Sequence, residues 1–181
     1  MTRRRPHRRR GFTLVEALAT IVVLTALGSV GATVLYESTD GFVEASTRAQ
    51  LHTELSLAMD RAVREIRKID RDPAATGVAP DINGVTATEI RWHTPETKLW
   101  RSGSFWYLNL DGGAANVLLR DVTAFTLETY DESNALLGTV LTGTGCDPIR
   151  RVLLEVTITR NGVSETLRSK VFVRSTLSGS G

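Results

Sequence analysis

The chain has 181 residues, 41% hydrophobic and 23% charged, which is ordinary for a folded protein and long enough for one domain plus an anchor or tail. Its basicity is local. Arg3, Arg4, Arg5, Arg8, Arg9 and Arg10 precede Gly11, and without these six the balance is 16 basic against 20 acidic residues, or −4. A generally nucleic-acid-binding body is therefore disfavoured, and the single cysteine, Cys146, excludes an intrachain disulfide and reads as a buried, inert thiol.

Residues 1–11 read as a basic leader. Residues 12–36 follow as 25 positions whose only ionisable side chains are Glu16 and Tyr36. As a helix this stretch exceeds the roughly 20 residues that cross a hydrocarbon core. The arginines on its N-terminal side predict a single pass with the N-terminus cytoplasmic and the C-terminal body outside. A charged, unpaired Glu16 near the bilayer centre costs on the order of 2–3 kcal/mol or more, and less near the interface. No basic side chain occurs from Gly11 to Thr47, so its partner is not a side chain of this segment. A backbone amine at Phe12, released by a cut after Gly11, would serve.

The run RGFTLVEAL, residues 10–18, resembles the leader junction of the type IV pilin and pseudopilin superfamily. The resemblance implies cleavage after Gly11 by prepilin peptidase, N-methylation of Phe12, and a filament-assembly role for Glu16, which pairs with the N-terminal amine of a neighbour. Other leaders fit less well. A twin-arginine export signal shares the arginines, but its apolar region is usually 7–15 residues and does not open on a glutamate. A lipoprotein signal lacks its cysteine. A plain signal anchor leaves Glu16 as an uncompensated cost.

Residues 37–70 are expected to continue the helix in amphipathic form. Leu51, Leu55, Met59, Ala62, Val63, Ile66 and Ile69 recur at three- and four-residue spacing, one apolar stripe. Arg61, Arg64, Arg67 and Lys68 lie mostly off it, among Asp60, Glu65 and Asp70, as a solvated face. No proline occurs between Pro6 and Pro73, and the helix is expected to stop near Asp70. Gly28, Gly31 and Gly41 are places where it could loosen.

Residues 71–174 read as an antiparallel β-rich domain and 175–181 as a flexible tail. Residues 73–84 form a loop; its DING resembles part of a calcium loop, but the remaining ligand spacing is missing, so Asp81 and Asn83 are turn residues. VTATEIRWH (85–93) and SFWYLNL (104–110) read as strands, with Asp111, Gly112 and Gly113 as a turn. Residues 118–137 are strand material broken at 131–134, and 138–148 are an exposed loop suited to partner contacts. Asn161 and Gly162 form the strongest hairpin signal. A two-residue turn there pairs Val156 with Leu167, Val152 with Val171 and Glu155 with Arg168, so apolar meets apolar and opposite charges meet.

Within the superfamily, MDRAVREIRKID (59–70), LLRDVTAFTLETYDESN (118–134) and RRVLLEVTITRNG (150–162) are similar to J-type minor pseudopilins and the related W-type minor pilins. The implied fold is α+β: a long N-terminal helix, membrane-spanning in its first half, then a mainly antiparallel sheet. The implied function is a structural subunit, not an enzyme, at the tip of a type IV pilus or type II secretion filament. The implied partners are prepilin peptidase, other minor and major pilins or pseudopilins, and an inner-membrane platform protein. His7, His52 and His93 form no metal-ligand pair at recognisable spacing, and neither a nucleophile motif nor a cofactor motif is present. The aromatics at 92, 100, 105, 106 and 107 read as core and sheet-face residues before they read as stacking platforms. The competing readings are a competence-pilus subunit contacting DNA, a signal-anchored extracytoplasmic binding domain, and an exported enzyme.

Overall fold

The computed structural model describes residues 13–75 and 77–174. The expected α+β, pilin-like architecture is found: one long apolar helix, then a domain of antiparallel strands. The chain divides into two compact units between Ala45 and Ser46.

Helix α1 runs Leu14–Ile66. Its start is locally encoded: Thr13 is followed three residues later by Glu16, the pattern of a capping box, and the Glu16 amide donates to Thr13 Oγ1 at 3.3 Å. In the first unit every described residue through Ala45 is exposed. An 18-residue window has a mean hydropathy of 2.1 with none of it buried. A helix apolar on all sides belongs in lipid or inside an assembly. Gly28, Gly31 and Gly41 stay helical.

The helix ends at Ile66, short of the expected Asp70. Its last turn tightens: the amides of Lys68 and Ile69 donate to Glu65 O and Ile66 O, three residues back. The chain then bends into a bridge between Arg71 and Pro80. The seven stripe residues are all buried, Ile69 among them although it lies past the helix. Glu65, expected on the solvated face, is also buried. Arg61 Nε at 3.2 Å and Lys68 Nζ at 3.1 Å compensate its carboxylate.

Nine strands follow: β1 Ile82–Thr86, β2 Glu89–Trp92, β3 Thr97–Ser102, β4 Phe105–Asn109, β5 Asn116–Leu119, β6 Val122–Tyr130, β7 Leu141–Thr142, β8 Arg151–Arg160 and β9 Val163–Phe172. They form two sheets, of order β5-β4-β3-β2-β1-β7 and β6-β8-β9, every pairing antiparallel. One core joins the helical stripe from Leu51 onward to inward residues of both sheets, among them Trp92, Leu99, Trp106, Leu154 and Ile158.

Three expectations need correction. Residues 85–93 are two strands, not one. The chain reverses at Ala87 and Thr88, where Thr86 pairs with Glu89, and the turn contains no positive-φ residue, so no glycine marks it. The 73–84 loop already holds most of β1 and is tied down by bonds from the Asp72 amide to Ala79 O and from Arg150 Nη2 to Val78 O. Residues 138–148 are only partly an open loop. They contain β7, paired to β1, and a 3-10 turn at Gly143–Cys146 that buries Cys146. The final hairpin has the expected register, with Val156 opposite Leu167, Val152 opposite Val171 and Glu155 opposite Arg168. Asn161 and Gly162 take positive φ of 52° and 78°, as a primed two-residue turn requires.

Candidate functional site

The residues that raise a functional question lie at the head of α1. Gly11 and Phe12 lie outside the described residues. Glu16 lies in the first helical turn, where the partial positive charge of the helix N-terminus favours a carboxylate. Around it Leu14, Val15 and Leu18 are 83%, 76% and 62% exposed, so the carboxylate is set in an uncovered apolar surface. Among the described residues it makes no ion pair.

Four hydroxyls of this stretch, on Thr20, Thr25, Ser29 and Thr33, are satisfied internally. Thr20 Oγ1 donates to Glu16 O at 2.6 Å, Ser29 Oγ to Ala26 O at 2.8 Å and Thr33 Oγ1 to Ser29 O at 3.1 Å. Thr25 Oγ1 donates likewise to Ile21 O. Each hydroxyl returns to the backbone one turn earlier, which lets the helix enter a medium without water. Glu16 is the one acidic group here that such a bond cannot neutralise.

Residues 6–36 match a family model described as the prokaryotic N-terminal methylation motif. The chain carries that motif. The matched residues include Arg8, Arg9, Arg10, Gly11, Phe12, Glu16 and the apolar run to Tyr36, and the motif supports a type IV pilin- or pseudopilin-like subunit. The motif implies processing by prepilin peptidase and assembly with other pilins, and with the apolar helix it fits a membrane-anchored pilin. It points to a structural subunit, a class that is usually not enzymatic. No curated protein matches the chain.

The remaining candidates resolve into structural roles. His93 Nδ1 contacts Asp81 Oδ2 at 2.9 Å, and Asn83 Nδ2 donates to His93 O at 2.8 Å, so these three hold the β1–β2 hairpin mouth together. Asn83 lies within β1, at a register shift, and not in a turn. His52 Nδ1 contacts Glu165 Oε1 at 3.0 Å. Among the described residues no three ligand-type side chains could hold a metal ion. Burial, with Asp147 alongside, pushes the Cys146 thiol up to about 11, so it stays protonated and unreactive at neutral pH.

The five aromatics split by strand parity. Trp92 and Trp106 are buried in the core, whereas Trp100, Phe105 and Tyr107 share the outer face of the larger sheet. Trp100 and Tyr107 stack on each other at 5.1 Å, and the nearby cations are already engaged: Lys98 Nζ lies 2.7 Å and Arg91 Nε 3.3 Å from Glu89. A base would have to displace both arrangements.

One group has no local sequence signal. Arg160 at the end of β8 makes a bidentate contact to Glu54 of α1 at 3.1 and 3.0 Å, and its Nε donates to Asp121 at 2.9 Å. The Arg160 guanidinium lowers the Glu54 pKa and outweighs the opposing effect of burial. Glu54 and Arg160 are 106 positions apart, so only the fold brings them together.

Proposed function

We propose that this chain is a minor pilin or pseudopilin of the J or W type, in a type IV pilus or type II secretion filament. Residues 1–11 are the leader. Prepilin peptidase cuts between Gly11 and Phe12, and Phe12 becomes the methylated N-terminus. Residues 12–36 hold the precursor in the cytoplasmic membrane with the leader inside, and later pack in the filament core. Glu16 then meets the amine of a neighbouring subunit. Both charges fare poorly alone in apolar surroundings, and pairing compensates both. The β-rich body faces outward near the tip and meets unlike subunits, while the inner-membrane platform protein serves assembly.

The observation that carries this reading is a carboxylate without an ion-pair partner among the described residues, in the first turn of an exposed apolar helix, inside the stretch that matches the methylation motif. Intact-mass measurement of protein from membranes tests it. The expected species begins at Phe12 and carries one methyl group. A start near residue 30, or an uncut leader in cells with active peptidase, overturns it. For the tip position, quantitative mass spectrometry of purified filaments should find this chain in low copy; abundance along the shaft would overturn the minor assignment alone.

A further inference from the structure

We propose that the outer edge of β9 is a docking site for an extended, acidic strand of an unlike subunit, which would add to the three-stranded sheet. This rests on the reading of the chain as an assembling subunit. The direction of each backbone group follows from the ladder. The Thr159 amide reaches Asp121 O at 3.1 Å, on the β6 side. Odd residues of β8 therefore point towards β6 and even ones towards β9. Their partners on β9 are Val163, Glu165, Leu167, Ser169 and Val171, whose backbone groups are thereby used. Ser164, Thr166, Arg168, Lys170 and Phe172 aim theirs away from the sheet, and no hydrogen bond reaches them among the described residues.

The edge is long and unbroken. The β8–β9 register runs unbroken from Arg160–Val163 to Arg151–Phe172, without a bulge, and β9 contains no proline. Such an edge is a template for another strand. Unpaired groups that recur every second residue, roughly 6.6 Å apart, are matched by another extended backbone.

The chemistry of the partner follows from what lies beside the edge. A groove of about 460 Å³ runs between β9 and α1. Met59 and Val63 form its apolar floor, and Arg64 and Arg67 outnumber Asp60 on its rim. Arg168 turns to the other face of the sheet, 3.5 Å from Glu155, while Arg64 and Arg67 form no ion pair among the described residues. Every second side chain of an added strand would enter this groove, where apolar and acidic residues are compensated. A second copy of this chain fits poorly: a two-fold antiparallel β9 pair centred on Arg168 sets that arginine opposite itself, and like charges directly opposed are destabilising.

The test uses the full-length protein in its own cells. Thr166→Pro removes an amide that the β8 ladder does not use, and an edge strand tolerates proline there. Processing should be unchanged, with the mature mass differing from wild type only by the substitution, and amide exchange at Glu165, Leu167, Ser169 and Val171 should stay slow, yet the subunit's share in sheared filaments should fall at least tenfold. Wild-type filaments should also protect the amides of Thr166, Arg168 and Lys170 that exchange quickly in detergent-solubilised protein. Incorporation of Thr166→Pro at the wild-type level overturns the proposal. If that variant misfolds, Arg64→Glu combined with Arg67→Glu decides by the same readout: loss supports the edge site and normal incorporation overturns it. Wild-type protein that keeps its leader, or never enters filaments, is a different result and removes the proposed function together with the partner.

Discussion

Replacing Glu16 by Gln isolates the charge that the proposed assembly step needs. The Thr13 cap bond uses the Glu16 backbone amide, so it survives any ordinary substitution at 16, and glutamine keeps the length of the side chain. What remains is the loss of one member of an ion pair in apolar surroundings, which costs about 3–5 kcal/mol because the other charge is left uncompensated. Glu16 lies in the first turn, near the polar end of the segment, so the lower end applies, about 3 kcal/mol, or roughly a hundredfold in incorporation. Losing the interaction with the helix N-terminus adds only about 0.3–1 kcal/mol and would affect the helix before assembly as well. Membrane insertion should be intact, since glutamine is no harder to bury than a charged carboxylate. The assay is the ratio of filament-borne to membrane-borne subunit by quantitative mass spectrometry, with alkaline extraction as the insertion control; Glu16→Ala should behave alike. A ratio within twofold of wild type would refute the pairing argument.

Gly11→Val should leave the precursor uncut in the membrane, because a branched side chain obstructs the peptidase at the junction; intact mass showing the full leader is the expected result. Arg160→Met should lower stability by about 0.5–1.5 kcal/mol, a shift of a few degrees in Tm, since solvent screens a pair that stays roughly one-third exposed. Because Arg160 lowers the folded pKa of Glu54, this contribution is fully present above the ordinary glutamate value of 4.5 and is lost as pH falls through the lower folded value. Melting curves from pH 7 to pH 3 should therefore converge for wild type and Arg160→Met, and a constant difference would exclude the linkage. Cys146 should resist alkylation in the native protein and react on unfolding; rapid labelling of folded protein would contradict its burial.

How far the sequence specifies this molecule depends on how local each determinant is. The β8–β9 register was legible because Asn161 and Gly162 admit one turn family, and a one-residue slip would move Val152, Leu154, Val156 and Ile158 out of the core. The helical stripe was legible for the same kind of reason. The turn at Ala87 and Thr88 was not, because it needs no positive φ and the alternation of apolar residues passes across it. Burial of Glu65 was also hidden: periodicity puts a carboxylate near the stripe but does not say that Arg61 and Lys68 fold over it. Contacts such as Glu54 to Arg160 depend on tertiary closure and leave no trace in spacing.

The candidate site shows the opposite balance. Everything that makes Glu16 distinctive is local in the sequence: the arginines before Gly11, the glycine, the apolar run and the absence of any basic side chain from Gly11 to Thr47. Thr13 followed by Glu16 is itself a capping signal, so the same glutamate has a structural reason to occupy the third helical position. That role needs only a side chain that can serve a helix start, and glutamine serves it nearly as well. A permanent negative charge is a more expensive choice in an apolar segment, and capping alone does not require it. The hydroxyls further along the helix show how this segment treats polar groups that need no outside partner: each is turned back onto its own backbone. A carboxylate has no such internal solution among the described residues, and in the proposed assembly its compensation comes from another chain or from the amine released at Phe12. This difference between capping and charge is why Glu16→Gln, and not a change at Thr13, separates an assembly residue from a helix-start residue.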